Sequence, residues 1–597
     1  MRLLVTVLLL AQAVWGQGAG NIRRAVEKAL PVLQRSAASF VAQRACVSCH
    51  HNVLPILMLH MAQDRGWPVD AAVLQAVEDK TFRSLRGAAA LDDAIQAVTL
   101  NDPTPNDSFL LMAGHAAGLP QDLTTEVLAR RLVRWQRDGH WITSDFRPPH
   151  SSSIFTATAT AVRAIQLYMP EELRAEQEAS LREARAWLAA TRPLSTEDAA
   201  FRLLGLRWAG ADEAEVAAAR RDLLAMQAGG GGWPQTSNYS ADAYSTGEAL
   251  YALHETGTAA GGRAWLRGVR FLISTQAADG TWRVRTRMLS PAEVSPKYFT
   301  TGFPYQKDEY LSYAGSCWAV MALLAAIPEA EHAPAATVAQ EPRAPAWVRT
   351  ALFGTPEQLL ALLDGGLDVN SKTARGTSLL MMAAPNAGKV RLLISRRADV
   401  NARSDSGADA LTIACAYRGT AASVQALLDA GAAAKSPDGK RVRSSPLVFA
   451  SMTGDLDNVK LLLARGADAS ASAGNNTPIS AAVTFGYPDV TRALIAAGAS
   501  TSMQESTGIN LLHWSVIADR PAMIPVLVQA GVPINVVDDF GFTPLMYAAT
   551  IDFGDTELVQ ALLKNGASRI IPNGEGRTPL QQAHRLRLAH LEAALRE

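Results

Sequence analysis

The chain has 597 residues, long enough for about three or four folded units. Its 56 acidic residues balance 56 basic ones, which removes the electrostatic case for a nucleic acid or an anionic membrane as partner. Four cysteines are too few for a disulfide scaffold, and high Ala and Leu content with few β-branched runs predicts an all-α fold.

Residues 1–16 have the layout of a secretory signal. Arg2 gives a basic start, Leu3 to Val14 an apolar core, and Val14-Trp15-Gly16 a small-residue cleavage point before Gln17. The apolar run is short for a bilayer span, and no later stretch is long and apolar enough. The expected mature chain is therefore not membrane-spanning and works in the periplasm or the extracellular space.

Asn21 to Ala45 carries Ile22, Ala25, Ala29, Leu30, Leu33, Ala37, Phe40 and Val41 at helical spacing. This helix leads into Cys46-Val47-Ser48-Cys49-His50-His51. Cys-x-x-Cys-His is the attachment signature of a c-type haem. Each thiol can form a thioether to one haem vinyl group, and His50 stands where the proximal iron ligand belongs. A zinc site would bring a second Cys pair or a distant His pair, whereas Cys317 and Cys415 each stand alone. A thioredoxin-like pair would follow a strand, and helix precedes Cys46. A disulfide is open, but does not need His50. Residues 17–100 are read as a helical segment holding covalent haem c through Cys46, Cys49 and His50, in keeping with export. His51 is expected at the surface or beside a haem propionate. The sixth iron ligand stays open among Met58, His60, Met61, Met112, His115, His140 and His150, as does a site left open to a small ligand.

From 101 to 327 another pattern takes over. Gln227, Gly231 and Trp233 repeat as Gln276, Gly280 and Trp282, with a shortened copy at Gln136, Gly139 and Trp141. Each follows an apolar helix end. The Gly permits a turn with positive φ, the Trp packs back over that turn, and Ser240 and Asp242 stand where the next helix is capped. The motif resembles the QW repeat of squalene cyclases and protein prenyltransferases, which build an α/α barrel. More closely, the stretch from about 20 to 327 is similar to secreted bacterial proteins that join Cys-x-x-Cys-His to a squalene-cyclase-like domain. The matching residues include Arg147-Pro-Pro149, Thr156 to Ala161, Leu203 to Gly210, Ala241 to Gly247, and Tyr298 to Pro304 leading to Asp308. The resemblance implies a barrel, here about half the size of a full cyclase. It does not bring the Asp-x-Asp-Asp acid motif, since Asp242 lacks a paired carboxylate in the sequence. The prenyltransferase zinc set is not legible either, with Gly315 where a His is expected before Cys317. The QW elements then read as structural ties and Asp242 as a helix cap. Tyr244, Phe299, Phe303, Tyr305, Tyr310 and Trp318 could line an apolar pocket or simply form core.

Pro328 to Ala346 (328–346) is rich in Pro, Ala and Glu without a helical stripe and reads as a linker. Beyond it, over 347–597, helix-ending elements recur at Gly366, Arg397, Gly431, Gly466, Gly498, Gly531 and Gly566, at spacings of 31, 34, 35, 32, 33 and 35. Helix-starting Thr-Pro steps recur at Thr477, Thr543 and Thr578. The period, about 33 residues, resembles ankyrin repeats, about seven of them. The resemblance implies an arm that binds a protein through its hairpin tips and concave face, with Asp399, Asp468, Asp538 and Asp539 near the tips.

The sequence thus predicts an extracytoplasmic haem c protein for electron transfer or haem-based sensing, with a redox partner and an ankyrin arm for a further protein. The enzyme alternative is chemistry on an isoprenoid lipid with Asp242 or Asp308 as acid. The other alternative is a non-catalytic interaction scaffold. No catalytic residue is assigned.

Overall fold

The structure, a computed structural model, describes residues 2–97, 102–144, 147–150, 152–258, 261–288, 301–327, 344–435, 445–472, 476–502 and 507–597, with backbone alone for 2–18 and 103. Tyr298, Phe299 and the expected linker up to residue 343 lie outside the described residues. The fold is mostly helical; among the described residues the only sheet is a hairpin of two short strands.

Helix α1 (Arg2–Gln43) enters a turn at Cys46 and a short π-helical stretch, Cys49–Val53. Next come α2 (Leu54–Gln63), α3 (Ala71–Thr81), α4 (Arg83–Arg86), α5 (Ala90–Ile95), α6 (Pro103–Ala116), α7 (Leu123–Trp135), α8 (Ile154–Tyr168) and α9 (Arg174–Ala190). They are followed by α10 (Thr196–Trp208), α11 (Glu213–Ala225), strands β1 (Trp233–Pro234) and β2 (Ala241–Asp242), α12 (Ala243–Glu255), α13 (Arg263–Thr275) and α14 (Glu309–Leu324). Helix starts follow the side chains that accept their first free N–H groups. Asp122, Ser195 and Asp212 form capping boxes, while Ser153 caps α8 and Asp242 caps α12. Helices α2, α6, α8, α10, α12 and α14 neighbour one another in that order, and α14 returns to α2, so the six close a ring. Outside it, α7, α9, α11 and α13 each lie beside the ring helix before them in the chain, and α1 lies beside α14.

The three Gln-Gly-Trp motifs make the same set of bonds. Trp141, Trp233 and Trp282 are buried, and their indole N–H groups donate to the carbonyls of Leu132, Leu223 and Leu272 at the end of the preceding helix, at 2.7, 2.8 and 2.8 Å. Their backbone N–H groups donate to hydroxyls on the next ring helix, Thr158, Thr246 and Ser316. The glutamine amides reach the next outer helix: Gln136 to Ser180, Gln227 to Ala264, Gln276 to Ala25. The glycines have φ of 79°, 97° and 91°, and a Cβ on them would lie 2.6, 2.8 and 2.5 Å from the carbonyl oxygens of Glu183, Arg267 and Lys28. Only glycine tolerates both demands.

From residue 346 on, eight antiparallel helix pairs follow among the described residues. They are α15 (Ala346–Phe353) with α16 (Pro356–Asp364), α17 (Leu379–Ala383) with α18 (Ala387–Ser395), α19 (Ala410–Cys415) with α20 (Ala421–Asp429), and α21 (Pro446–Thr453) with α22 (Leu456–Ala464). Then come α23 (Pro478–Thr484) with α24 (Pro488–Ala496), α25 (Leu511–Ile517) with α26 (Met523–Gln529), α27 (Pro544–Ala548) with α28 (Glu557–Lys564), and α29 (Pro579–Leu586) with α30 (Ala589–Arg596). The pairs stack, first helix on first helix and second on second. Thr477, Thr543 and Thr578 cap their helices ahead of a Pro, as expected. Asn370, Asn401 and Asn535 accept at their side-chain oxygens from the N–H of Asp399, Ala433 and Ser568 in the following hairpin. Asp538 departs from the expected solvated tip. It is buried, and it accepts from the Tyr547 hydroxyl and from the N–H groups of Phe540 and Phe542.

The repeat stack is not a free arm. Asp92 accepts from Thr373 and Thr377, Arg130 donates to the Leu352 carbonyl at 2.9 Å, and the Trp135 indole to that of Ala416 at 2.9 Å. Buried apolar residues of both halves form one continuous core. Gly280→Ala is expected to cost about 2–4 kcal/mol of unfolding free energy. Gly229→Ala, whose Cβ meets open space, is expected to stay within about 0.5 kcal/mol of the parent. Urea denaturation of the two variants measures the difference.

Candidate functional site

The Cys46–His51 turn lies where α1 meets the ring. Cys46 is exposed, Cys49 half-buried, and no disulfide joins them. Ser48 starts the π-helical stretch by accepting from the N–H of His51. That turn sends both imidazoles inward.

His50 and His51 are buried, so the expectation of a surface His51 is corrected. The reason is aromatic packing. The His51 ring lies flat between Phe40, 4.8 Å away at 12°, and Tyr313, 4.0 Å away at 10°. Tyr313 is held in turn by donating to the Leu33 carbonyl. The Nδ1 atoms of His50 and His51 face each other in hydrogen-bond contact, so one of them carries the proton. His50 also meets the rings of His150 and Tyr310 at 5.9 and 5.6 Å. Burial, aided by His51, His150 and Arg147, pushes the His50 pKa far down; burial and His150 push that of His51 down to about 3. Both imidazoles are neutral at pH 7.

Among the imidazoles named from sequence, His150 is brought to this turn. Its Nε2 lies 2.9 Å from Cys49 Sγ and its Nδ1 3.1 Å from the Tyr244 hydroxyl. His60 instead pairs with Glu78 at 2.7 Å, His140 stacks on Trp187, and His115 is exposed. Met58 is core. The resulting row, Cys49–His150–Tyr244, joins three distant stretches of chain. It holds a half-buried thiol in contact with an imidazole that a third group orients.

Behind Tyr244 lie two carboxyls that sequence reasoning missed, Glu197 on α10 and Glu248 on α12, both buried. Burial pushes Glu197 up to about 8 and Glu248 well above its usual range, each further raised by neighbouring carboxylates. Asp242, pushed up to about 6 by burial, belongs to the same group; its charge acts on Glu248. The lone Asp242 of the sequence therefore has carboxyl neighbours in space. Its oxygens accept from the Ser245 N–H and from Gln235, the bonds of a helix cap. Asp308 is buried and pairs with Arg283 at 3.2 Å. Glu197 sits in the capping box of Ser195 and Asp198 and looked like an ordinary first-turn acid. The legible clue was Glu248, four residues after Tyr244 in an otherwise uncharged helical stretch. Among the described residues no three His, Cys, Asp or Glu side chains are arranged to hold a metal ion, and no helix is long and apolar enough to cross a membrane.

Comparison with known proteins reaches the C-terminal half. Residues 415–505 and 512–595 match the family model of ankyrin repeats. The palmitoyltransferase AKR1 of Lachancea kluyveri is 32% identical over 144 residues, which is 23% of this chain and 19% of that protein. The ankyrin repeat and KH domain-containing protein mask-1 of Caenorhabditis elegans is 26% identical over 37% of this chain and 8% of its own. The ankyrin repeat protein YahD of Escherichia coli is 24% identical over 34% of this chain and 87% of its own. The chain thus spans under a fifth of the first two relatives. The human ASB11 ankyrin repeat domain is similar at 24% identity and a TM-score of 0.28, over 42% of this chain and 96% of that one. The C-terminal region carries ankyrin repeats, an architecture that binds proteins.

Held protonated in the fold, Glu197 contributes stability that is fully present below its ordinary value of 4.5 and is lost as the pH rises through about 8. The melting temperature is expected to fall from about pH 6 to about pH 8, and Glu197→Gln to flatten that fall. Scanning fluorimetry across this range checks it; an unchanged slope in the variant counts against a buried, protonated Glu197.

Proposed function

We propose that the protein is a non-catalytic interaction scaffold that binds another protein through the hairpin tips of its ankyrin stack. The observation that carries this reading is the exposed row Asp368, Asn370, Asp399, Asn401, Asp468, Asn535 and Asp539 on the hairpins of the helix-pair stack, while helix-connecting turns of the same stack are taken up by the chain's own helical half. In this reading the ring of six helices with its QW ties is a squalene-cyclase-like α/α barrel serving as a body. Asp242 caps a helix there and does no chemistry. Chemical cross-linking in the native host with the full chain tests the reading. Asp399→Lys combined with Asp468→Lys is expected to lose the cross-linked proteins while melting as the parent does. An unchanged set of cross-links counts against the tips.

A second reading concerns Cys46, Cys49 and His50. The donor set suits a c-type haem: two thiols not joined to each other, and an imidazole held neutral, the ligating form. Cys46 and Cys49 would carry the thioethers and His50 the iron, which would supply one-electron chemistry. The rings of Phe40, His51, His150 and Tyr310 stand 4.7–6.1 Å from His50, so the turn would have to swing outward to accept the macrocycle. This reading includes export to the periplasm or beyond, with removal of residues 1–16. A reduced-pyridine spectrum of chain purified from haem-attaching cells is expected to show a c-type band that survives denaturation and is lost in Cys49→Ala. A colourless exported chain rules it out, and the mass of that chain reports cleavage before Gln17.

A further inference from the structure

Three connections, each from an outer helix to the next ring helix, touch the repeat stack, and two of them carry residues of the buried cluster. The one between α7 and α8 has, among its described residues, no regular structure beyond a single bridge of Arg137 to His140. Its course is set by what holds it. Arg137 lies 4.9 Å above the Tyr487 ring and 3.5 Å from Asp489. The Thr143 carbonyl accepts from Arg520 Nη2 at 2.5 Å. Ser144 shares with Met452, Ala481 and Phe485 a cavity of about 250 Å³ between the two halves. A few residues on, the same connection delivers His150 to Cys49.

The other two also meet the stack. The β1–β2 hairpin meets the last repeat where Asn238 bonds His590 at 2.9 Å, and it leads into Asp242 and Tyr244. The stretch 281–288 ends with Arg287 donating to the Asp552 carbonyl at 2.8 Å and Met288 bridged to Ile551, and begins beside Asp308. A connection without secondary structure is ordinarily the least stable part of a fold. Here its geometry is supplied from the second half of the chain. Arg520 itself is fixed within the stack, donating to the carbonyls of Thr484 and Asp519, so it transmits the position of a repeat, not of a loose side chain.

We infer that the ankyrin stack is an intramolecular brace for the Cys49–His150–Tyr244 row, with Arg520 and Arg137 as positioning residues that act through the α7–α8 connection. Neither residue touches Cys49. Their effect on it runs through Thr143, Ser144 and the backbone that carries His150. The inference is independent of haem and goes beyond partner binding: the arm that presents its tips outward also sets the site geometry.

The test reads each cysteine of the full chain, prepared without haem attachment so that both thiols of the turn can react. Iodoacetamide alkylation at one fixed pH is followed by mass spectrometry. Exposed Cys46 serves as the internal reference, and buried Cys317, within the same half, reports general loosening. Arg520→Ala and Arg137→Ala are each expected to raise the Cys49 rate about tenfold, equivalent to a coupling of ~1.4 kcal/mol, with Cys46 and Cys317 unchanged. Arg520→Lys, which keeps a donor toward the Thr143 carbonyl, is expected to restore the slow rate. Arg465→Ala, which breaks an exposed pair with Asp429 on the outer helices, is expected to change nothing. A Cys49 rate within about twofold of the parent in both alanine variants overturns the inference. So does a Cys317 rate that rises in step with that of Cys49, since the variants would then act by unfolding.

Discussion

A missing side chain holds the helical half together. At Gly139, Gly231 and Gly280 the turn comes so close to the next outer helix that a Cβ would overlap a backbone carbonyl. That approach lets Gln136, Gln227 and Gln276 bond across to the same helix. It also seats each tryptophan against the end of its own helix and the start of the next ring helix. The third tie lands on α1, at Ala25, and so fastens the helix that leads into the Cys46 turn. The geometry of the buried site therefore begins with three residues that have no side chain to contribute.

Inside the ring the governing constraint is electrostatic. Three imidazoles, His50, His51 and His150, stand close together, and burial keeps them from carrying like charges at once. On the far side of Tyr244 the same low polarity keeps Glu197 and Glu248 from ionising together. Burial thus disfavours charge on both sides of Tyr244, and the cluster is held by ring stacking and by the Cys49–His150–Tyr244 bonds. A buried polar network of this kind favours one arrangement, since each member left without its bond would bear the full cost of desolvation.

The parts of the architecture set by short-range pattern were legible in the sequence. Helical stripes, the Gln-Gly-Trp turns at Trp233 and Trp282, and the Thr-Pro starts of repeats each express their physics within a few residues. The site was legible only in part. Cys46, Cys49 and His50 mark the turn, but that His150 comes to it depends on an encounter 101 residues away along the chain. His51 was misplaced because a histidine beside another reads as polar surface, whereas stacking between Phe40 and Tyr313 requires tertiary structure. Glu197 was hidden by its place in the first turn of α10, beside the capping acid Asp198, where an acid is ordinary. The docking of the repeats was illegible for a related reason: the residues that grip, such as Ala416, Arg520 and Asp552, do so with backbone groups or with side chains that repeat consensus does not mark.

Free ankyrin arrays gain and lose units readily, because each unit touches only its neighbours. This array is different. Its grips are spread from the first repeat to the last, from Leu352 through Ala416, Asp489, Arg520 and Asp552 to His590, each meeting its own place on the helical half. Removing one unit would leave every later grip opposite the wrong loop, as a ratchet slipped by a tooth. The spacing of repeats between the first grip and the last is therefore tied to the helices they follow, a constraint that a freely stacked array does not carry.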